Sequence, residues 1–281
     1  MKTWKKIVLG VSLISLFLGG GLVAWGYSQG GLTDLQNKTI SEQDYVKKEV
    51  KDFNKIDIKS SSYNVLIKNG EVDKATLSYY QKTKNPIDTS VKDGQLTIND
   101  NNSELDSTSN KHINFFGLKD LVKLSTLNEE VRNKTIVITL PKKQTIDSLK
   151  VDLATGNLDL SNSTIKQADI NLNVGDLTFT KMIVSNLKAN LDVGSVDSDH
   201  TLFTNSDLSI AMGEYSGDNL IFNGHNKLDV TSGDIEIVLK DYTLNVQADS
   251  HSGEVDITNN LKISKDNTLT ITSDLGDITV E

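Results

Sequence analysis

The chain has 281 residues, with 29 basic and 38 acidic side chains, a formal net charge of −9, two prolines and no cysteine. Without cysteine there is no disulfide scaffold and no thiolate chemistry. Beyond residue 27 the balance is 26 basic to 38 acidic residues, or −12, with Arg132 the single arginine. Such a surface repels nucleic acid and anionic lipid head groups and lacks a bidentate phosphate clamp, so nucleic acid is excluded as a partner.

Residues 1–6 are short and basic, with Lys2, Lys5 and Lys6. Residues 7–27, IVLGVSLISLFLGGGLVAWGY, carry no charge. At 1.5 Å per residue this run spans ~31 Å, the thickness of a bilayer's hydrocarbon core. Trp4, Trp25 and Tyr27 flank it as interfacial aromatics do. The lysines keep the N-terminus cytoplasmic, which predicts a single-pass anchor in the cell membrane with everything after Tyr27 extracellular. The rival reading is a cleaved signal peptide, but its best cut, after Ala24, puts Leu22 where a small residue is wanted.

Residues 28–52 form a polar spacer. Thr33 or Asp34 suits the cap of a short helix, and SEQDYVKKEVKDF has helix-friendly residues. From Phe53 the pattern becomes that of strands. Ile56, Ile58, Val65 and Ile67 alternate with polar residues, and Tyr63-Asn64-Val65 looks like a degenerate first repeat. Residues 91–98 predict a hairpin turning at Asp93-Gly94.

Residues 99–134 interrupt this pattern. They open as low-complexity polar sequence and then carry Phe115, Phe116, Leu118, Leu121 and Val122. These apolar residues either cap an open end of the fold or meet a partner or the bilayer, with Phe115 and Phe116 as the candidate contact. Residues 135–140 predict a strand, and Pro141 ends it at an edge or corner.

The rest is a repeat. Glycines fall at Gly156, Gly175, Gly194, Gly213, Gly233, Gly253 and Gly276, at intervals of 19, 19, 19, 20, 20 and 23 residues. A small polar or acidic residue follows each. Apolar columns lie two residues after the glycine (Leu158, Leu177, Val196, Tyr215, Ile235, Val255, Ile278) and five before it (Val151, Ile170, Ala189, Leu208, Leu228, Ala248, Ile271). A third column, nine after, holds Ile165, Val184, Phe203, Phe222 and Tyr242. Period-two alternation on a 19–20-residue repeat predicts an all-β solenoid of one chain over residues 53–281, with the glycines as structural turns. Stacked in chain order, such coils leave 269–271 and 278–280 as the open edge.

No chemistry stands out. His112, His200, His225 and His251 lack metal-ligand spacing, and no nucleophile, phosphate-loop or zinc motif occurs. No catalytic residue, metal or cofactor is expected.

The run ITLPKKQTIDSLKVDLATGNLDLSNSTI opens the repeats through Leu140-Pro141. The turns Val174-Gly175-Asp176-Leu177, Ser232-Gly233-Asp234-Ile235 and Leu275-Gly276-Asp277-Ile278 follow. Over about residues 53–281 these motifs resemble a bacterial adhesin-like strand-repeat family, domain-of-unknown-function family 4097. The anchor and layout resemble LiaG-type membrane proteins of Gram-positive bacteria. The resemblance implies a non-catalytic binding or scaffold module in the cell-envelope stress response, held on the cytoplasmic membrane by residues 7–27 and meeting envelope proteins or cell-wall polymer. The alternative is a carbohydrate-active enzyme, because β-helices host such chemistry; a single arginine in a −12 ectodomain disfavours acidic polymers.

Overall fold

In the computed structural model, residues 43–82, 86–100 and 134–281 are described. The chain divides into residues 1–43 and residues 44–281, and the second unit holds the apolar core. The anchor at 7–27 and the Phe115–Phe116 pair lie outside the described residues. Among the described residues there is no helix, and none long and apolar enough to cross a membrane.

Apolar residues at alternate positions turn inward and stack coil on coil, producing three parallel sheets around one apolar core. Sheet 1 holds Asn64–Gly70, Leu158–Ser161, Leu177–Thr180, Val196–Asp199 and the first part of Tyr215–Asn223. Sheet 2 runs from Lys55–Ser60 through Ser148–Leu153, Ala168–Val174, Leu187–Val193 and Asp207–Met212 to His225–Ser232. Sheet 3 is short: Thr145–Ile146, Thr164–Ile165, Ile183–Ser185, Leu202–Thr204 and the end of Tyr215–Asn223. The third sequence column lines the core here, with Phe179 edge-on to Phe203 and Phe203 stacked on Phe222 at ring-centroid distances of 5.3 and 5.8 Å.

The glycine column has a steric cause. A Cβ on Gly175 would lie 2.0 Å from the Gly156 carbonyl oxygen, and Gly175 holds φ at 152°, which side chains avoid. At several coils the polar residue in the turn bonds the turn of the next coil. Asn64 Oδ1 accepts from the Asn157 N–H, Asn157 Oδ1 from the Asp176 N–H, and Asp176 Oδ1 from the Ser195 N–H, at 2.9–3.0 Å. Tyr63-Asn64-Val65 thus occupies the repeat's turn position, in register with Leu158 at Val65.

Both ends depart from chain order. At one end, the strand Thr135–Pro141 lies outside Asn64–Gly70, and Gln95–Asn99 lies outside Lys55–Ser60. Antiparallel neighbours then cover them: Thr76–Lys82 on Thr135–Pro141, and Asp88–Lys92 on Gln95–Asn99. Asp93 and Gly94 form that hairpin turn, both with positive φ. Pro141 sits at its strand's end, beyond the antiparallel pairing. Residues expected to be helix-friendly include Gln43–Glu49, which is a strand beside Thr76–Lys82. Tyr45 and Val46 there face Tyr80 and the core, and that packing overrides helix propensity.

At the other end the expected open edge is corrected. Thr268–Leu275 pairs with His225–Ser232 on one side and Asn245–Ser252 on the other. Ile278–Val280 likewise lies between Ile235–Leu239 and Val255–Ile257. The last coil in sequence is therefore the penultimate one in space. The polar ladder follows the spatial order, from Asp234 Oδ1 to the Asp277 N–H and from Asp277 Oδ1 to the Glu254 N–H, at 2.9 and 2.8 Å. Leu269, Ile271, Ile278 and Val280 are buried, whereas Val255 is 41% exposed. The physical reason is the core: the more apolar coil takes the position covered on both sides.

Candidate functional site

Six of the seven turn glycines share φ of 144–152°. Gly253, on the outermost coil, lacks the positive φ but still sits against the Gly276 carbonyl oxygen. All seven lie in one backbone column, which carries no side-chain chemistry.

The outward side of sheet 3 is different. Alternation puts Val184, Phe203 and Phe222 inward, so Ile183, Leu202 and Ile221 face out, stacked in register on three successive coils. Ile183 is 48% exposed and the other two partly so. Thr164 precedes this stripe and Lys240 ends it, the Lys240 N–H donating to the Leu220 carbonyl. Elsewhere, Val174, Val193 and Met212 also stack in register on sheet 2, the valines partly exposed and Met212 58% exposed, and Ser232 then separates Met212 from the exposed Leu275.

At the corner leading into sheet 3 the chain places Asp199, His200 and Asp218 together. Asp199 and Asp218 are cross-strand partners, and one ligand atom from each of the three residues lies within 4.8 Å of the others. His200 Nδ1 is 2.6 Å from Asp199 Oδ1, and Asn219 donates to Asp218 Oδ2 at 2.8 Å. The three side chains can reach one hard or borderline divalent cation. Two of them are exposed and Asp199 is partly so, so water competes for every ligand position. His200 looked isolated in the sequence because its partner stands 18 residues on. The signal was there in the 19-residue spacing of Asp199 and Asp218. His225 bonds Thr268 at 3.0 Å, and His251 lies on the outermost coil; neither joins a ligand group among the described residues.

A shallow polar recess of about 330 Å³ opens near the other end, lined in part by Lys59, Ser60, Asp100, Asp152 and Asn171. Ser60 Oγ donates to the buried Asp100 carboxylate at 3.1 Å. Asn171 donates to Asp152 and Asn190 to Asn171, at 3.0 and 2.9 Å, forming an amide ladder along the outer side of sheet 2.

One outward carboxylate is not solvated. Asp159 is 2% exposed, and burial pushes its pKa up to about 6 against the pull of Lys68. Leu66 and Val137, its neighbours in the same outward column, are buried too, and Thr178 Oγ1 is buried without a hydrogen-bond partner. The outer side of sheet 1 is therefore dry at this end.

A sequence profile of the family described as Toastrack DUF4097 matches residues 53–281. None of the curated proteins compared matches. Among solved structures, the chain is similar to a candidate cell adhesion protein from Clostridium sporogenes (16% identity, TM-score 0.38, covering 85% of this chain and 99% of that one). It is also similar to a candidate adhesin from Bacteroides fragilis (15%, 0.38, covering 85% and 97%) and a candidate lipid binding protein from Parabacteroides distasonis (12%, 0.45, covering 86% and 98%). At those identities and scores the likenesses carry no weight for function.

Proposed function

The chain belongs to the Toastrack DUF4097 family, and on that premise we propose that it is a non-catalytic binding scaffold displayed outside the cytoplasmic membrane. The observation that carries this reading is the aliphatic stripe Ile183, Leu202 and Ile221 on an outer face of a rigid sheet. Single exposed aliphatics are ordinary, but three in stacked register make a contact surface. The charge-free run at residues 7–27 behind three lysines supports a single-pass anchor with the solenoid outside. In this reading the protein holds an envelope protein or cell-wall polymer against the membrane, in the manner of LiaG-type proteins of the Gram-positive stress response. Two measurements test it. Protease added to intact protoplasts should digest the chain after Tyr27; full protection contradicts the topology. In-cell crosslinking of Ile183→Ser with Leu202→Ser should lose wild-type neighbours while the melting curve stays put; unchanged crosslinks contradict the stripe.

A carbohydrate-active enzyme is the second reading, favoured by the polar recess that gathers Asp100 and Asp152. It requires that purified protein shorten cell-wall glycan and that Asp152→Asn abolish the cleavage.

A further inference from the structure

Sheet 2 matches charge between coils. Its outward column reads Asp57, Lys150, Asp169, Lys188, Asp207, Lys227, alternating in sign over six successive strands. Opposite charges facing across strands stabilise the pair, and like charges destabilise it. The column then runs on through Thr270 to Gln247 on the outermost coil, so the alternation ends at Lys227. Asn245–Ser252 and Val255–Ile257 each pair on one side only among the described residues. Each strand therefore presents a row of unpaired backbone donors and acceptors. Inward, Val246, Ala248 and Ile257 are only partly buried, and Val255 is 41% exposed, so among the described residues the end of the core lies open. Outward, the two strands and the turn joining them carry Asp249, Glu254 and Asp256 and no lysine or arginine. Lys262 and Lys265 lie on the segment leading back to the inner coil, where the Lys262 N–H donates to the Tyr242 carbonyl at 2.8 Å.

We propose that this outer edge receives an extended segment of a partner protein as an added strand, with apolar and basic side chains in alternation. The apolar side chains would continue the columns above Val246, Ala248, Val255 and Ile257. The basic ones would meet Asp249, Glu254 and Asp256, as opposite charges facing across strands do. Main-chain hydrogen bonds would supply affinity, and the two side-chain rows specificity. A second copy of this chain is a poor occupant, because an edge-to-edge pair would set these carboxylates against each other. This site is independent of the aliphatic stripe, and either can fail alone.

The test uses the full chain in detergent and two synthetic peptides of about a dozen residues, long enough to follow both strands. One alternates valine with lysine, and the other valine with glutamate. The lysine peptide should bind and slow amide exchange across 245–257, while the glutamate peptide should not. Asp249→Lys with Asp256→Lys should weaken the lysine peptide by about tenfold or more and let the glutamate peptide bind. Equal binding of both peptides, unchanged exchange at 245–257, or loss of one peptide without gain of the other would each overturn the proposal. So would sedimentation showing that the chain self-associates through this edge.

Discussion

The two ends of the solenoid solve one problem differently. Each must stop a stack of parallel strands whose next edge is unpaired. At the end built by residues 76–82, 88–99 and 135–141, antiparallel strands turn back over the parallel ones, and Leu77 and Tyr79 on one antiparallel strand are buried, as are Leu96 and Ile98 on the strand beside the other. At the other end the chain adds one further parallel coil, residues 245–257, which is uncovered among the described residues. A single outward column records the contrast: Val137, Leu66 and Asp159 are buried at the first end, while Glu236 and Asp256 are exposed at the second. The first end is built for stability, and the second keeps an edge available.

The largest expected effect comes from charging each end's core. Ile98→Asp puts an unpaired carboxylate where the side chain is fully buried, and should cost more than about 4 kcal/mol. Val255→Asp should stay within about 0.5 kcal/mol, as exposed substitutions do. Similar melting losses for the two would erase the distinction between closed and open ends.

The outward column allows a finer test through pH. Asp159 has a folded pKa of about 6 against 3.8 ordinarily, so the folded state holds its proton where the unfolded state has lost it. Folding stability from this group is therefore highest below pH 4, falls as pH rises towards 6, and is level above that. The fall amounts to about 3 kcal/mol at 1.36 kcal/mol per pKa unit. Asp159→Asn should remove it and raise the melting temperature at pH 8. Asp256→Asn, at the exposed end of the same column, should change little; a gain as large as that of Asp159→Asn would show the second end to be covered too.

A smaller contrast lies in the turns. Gly175→Ala drives a methyl group into the neighbouring carbonyl within the stack and should cost on the order of 2 kcal/mol. Gly253→Ala meets the same kind of contact with Gly276, but on a coil free to shift outward and without a positive φ. It should cost less by urea titration, and equal losses would argue that the outer coil is held as firmly as the inner ones.

Much of the fold was legible because stacking forces like residues into columns. Glycine beside carbonyl, a small oxygen-bearing residue beside a backbone N–H, and an aliphatic beside an aliphatic each leave a trace every 19 or 20 residues. Even the degenerate turn at Tyr63-Asn64-Val65 was readable. Chain order at the ends was not, since every coil shares the same columns and either of two coils can sit on a third. Two clues existed: the 23-residue interval before Gly276, and inward residues Ala248 and Val255 smaller than Ile271 and Ile278. The Asp199–His200–Asp218 group and the stripe at Ile183 lay hidden for a related reason. Both need residues 18 or 19 apart to be neighbours on an outward surface, where no burial requirement disciplines the sequence.

The central claim is that the last coil in sequence lies inside the stack. The chain contains no cysteine, so engineered pairs report on it without background. Asp229 and Thr272 are cross-strand partners, and Thr272 Oγ1 donates to the Asp229 carboxylate. Asp249 lies beyond Thr272. Adjacent strands stand ~4.8 Å apart, within disulfide reach, and two spacings of ~9.6 Å are too far. Under mild oxidation, Asp229→Cys with Thr272→Cys should close to a disulfide in the folded protein, and Asp229→Cys with Asp249→Cys should not. Closure of the second pair and not the first would place the coils in simple chain order and contradict the account.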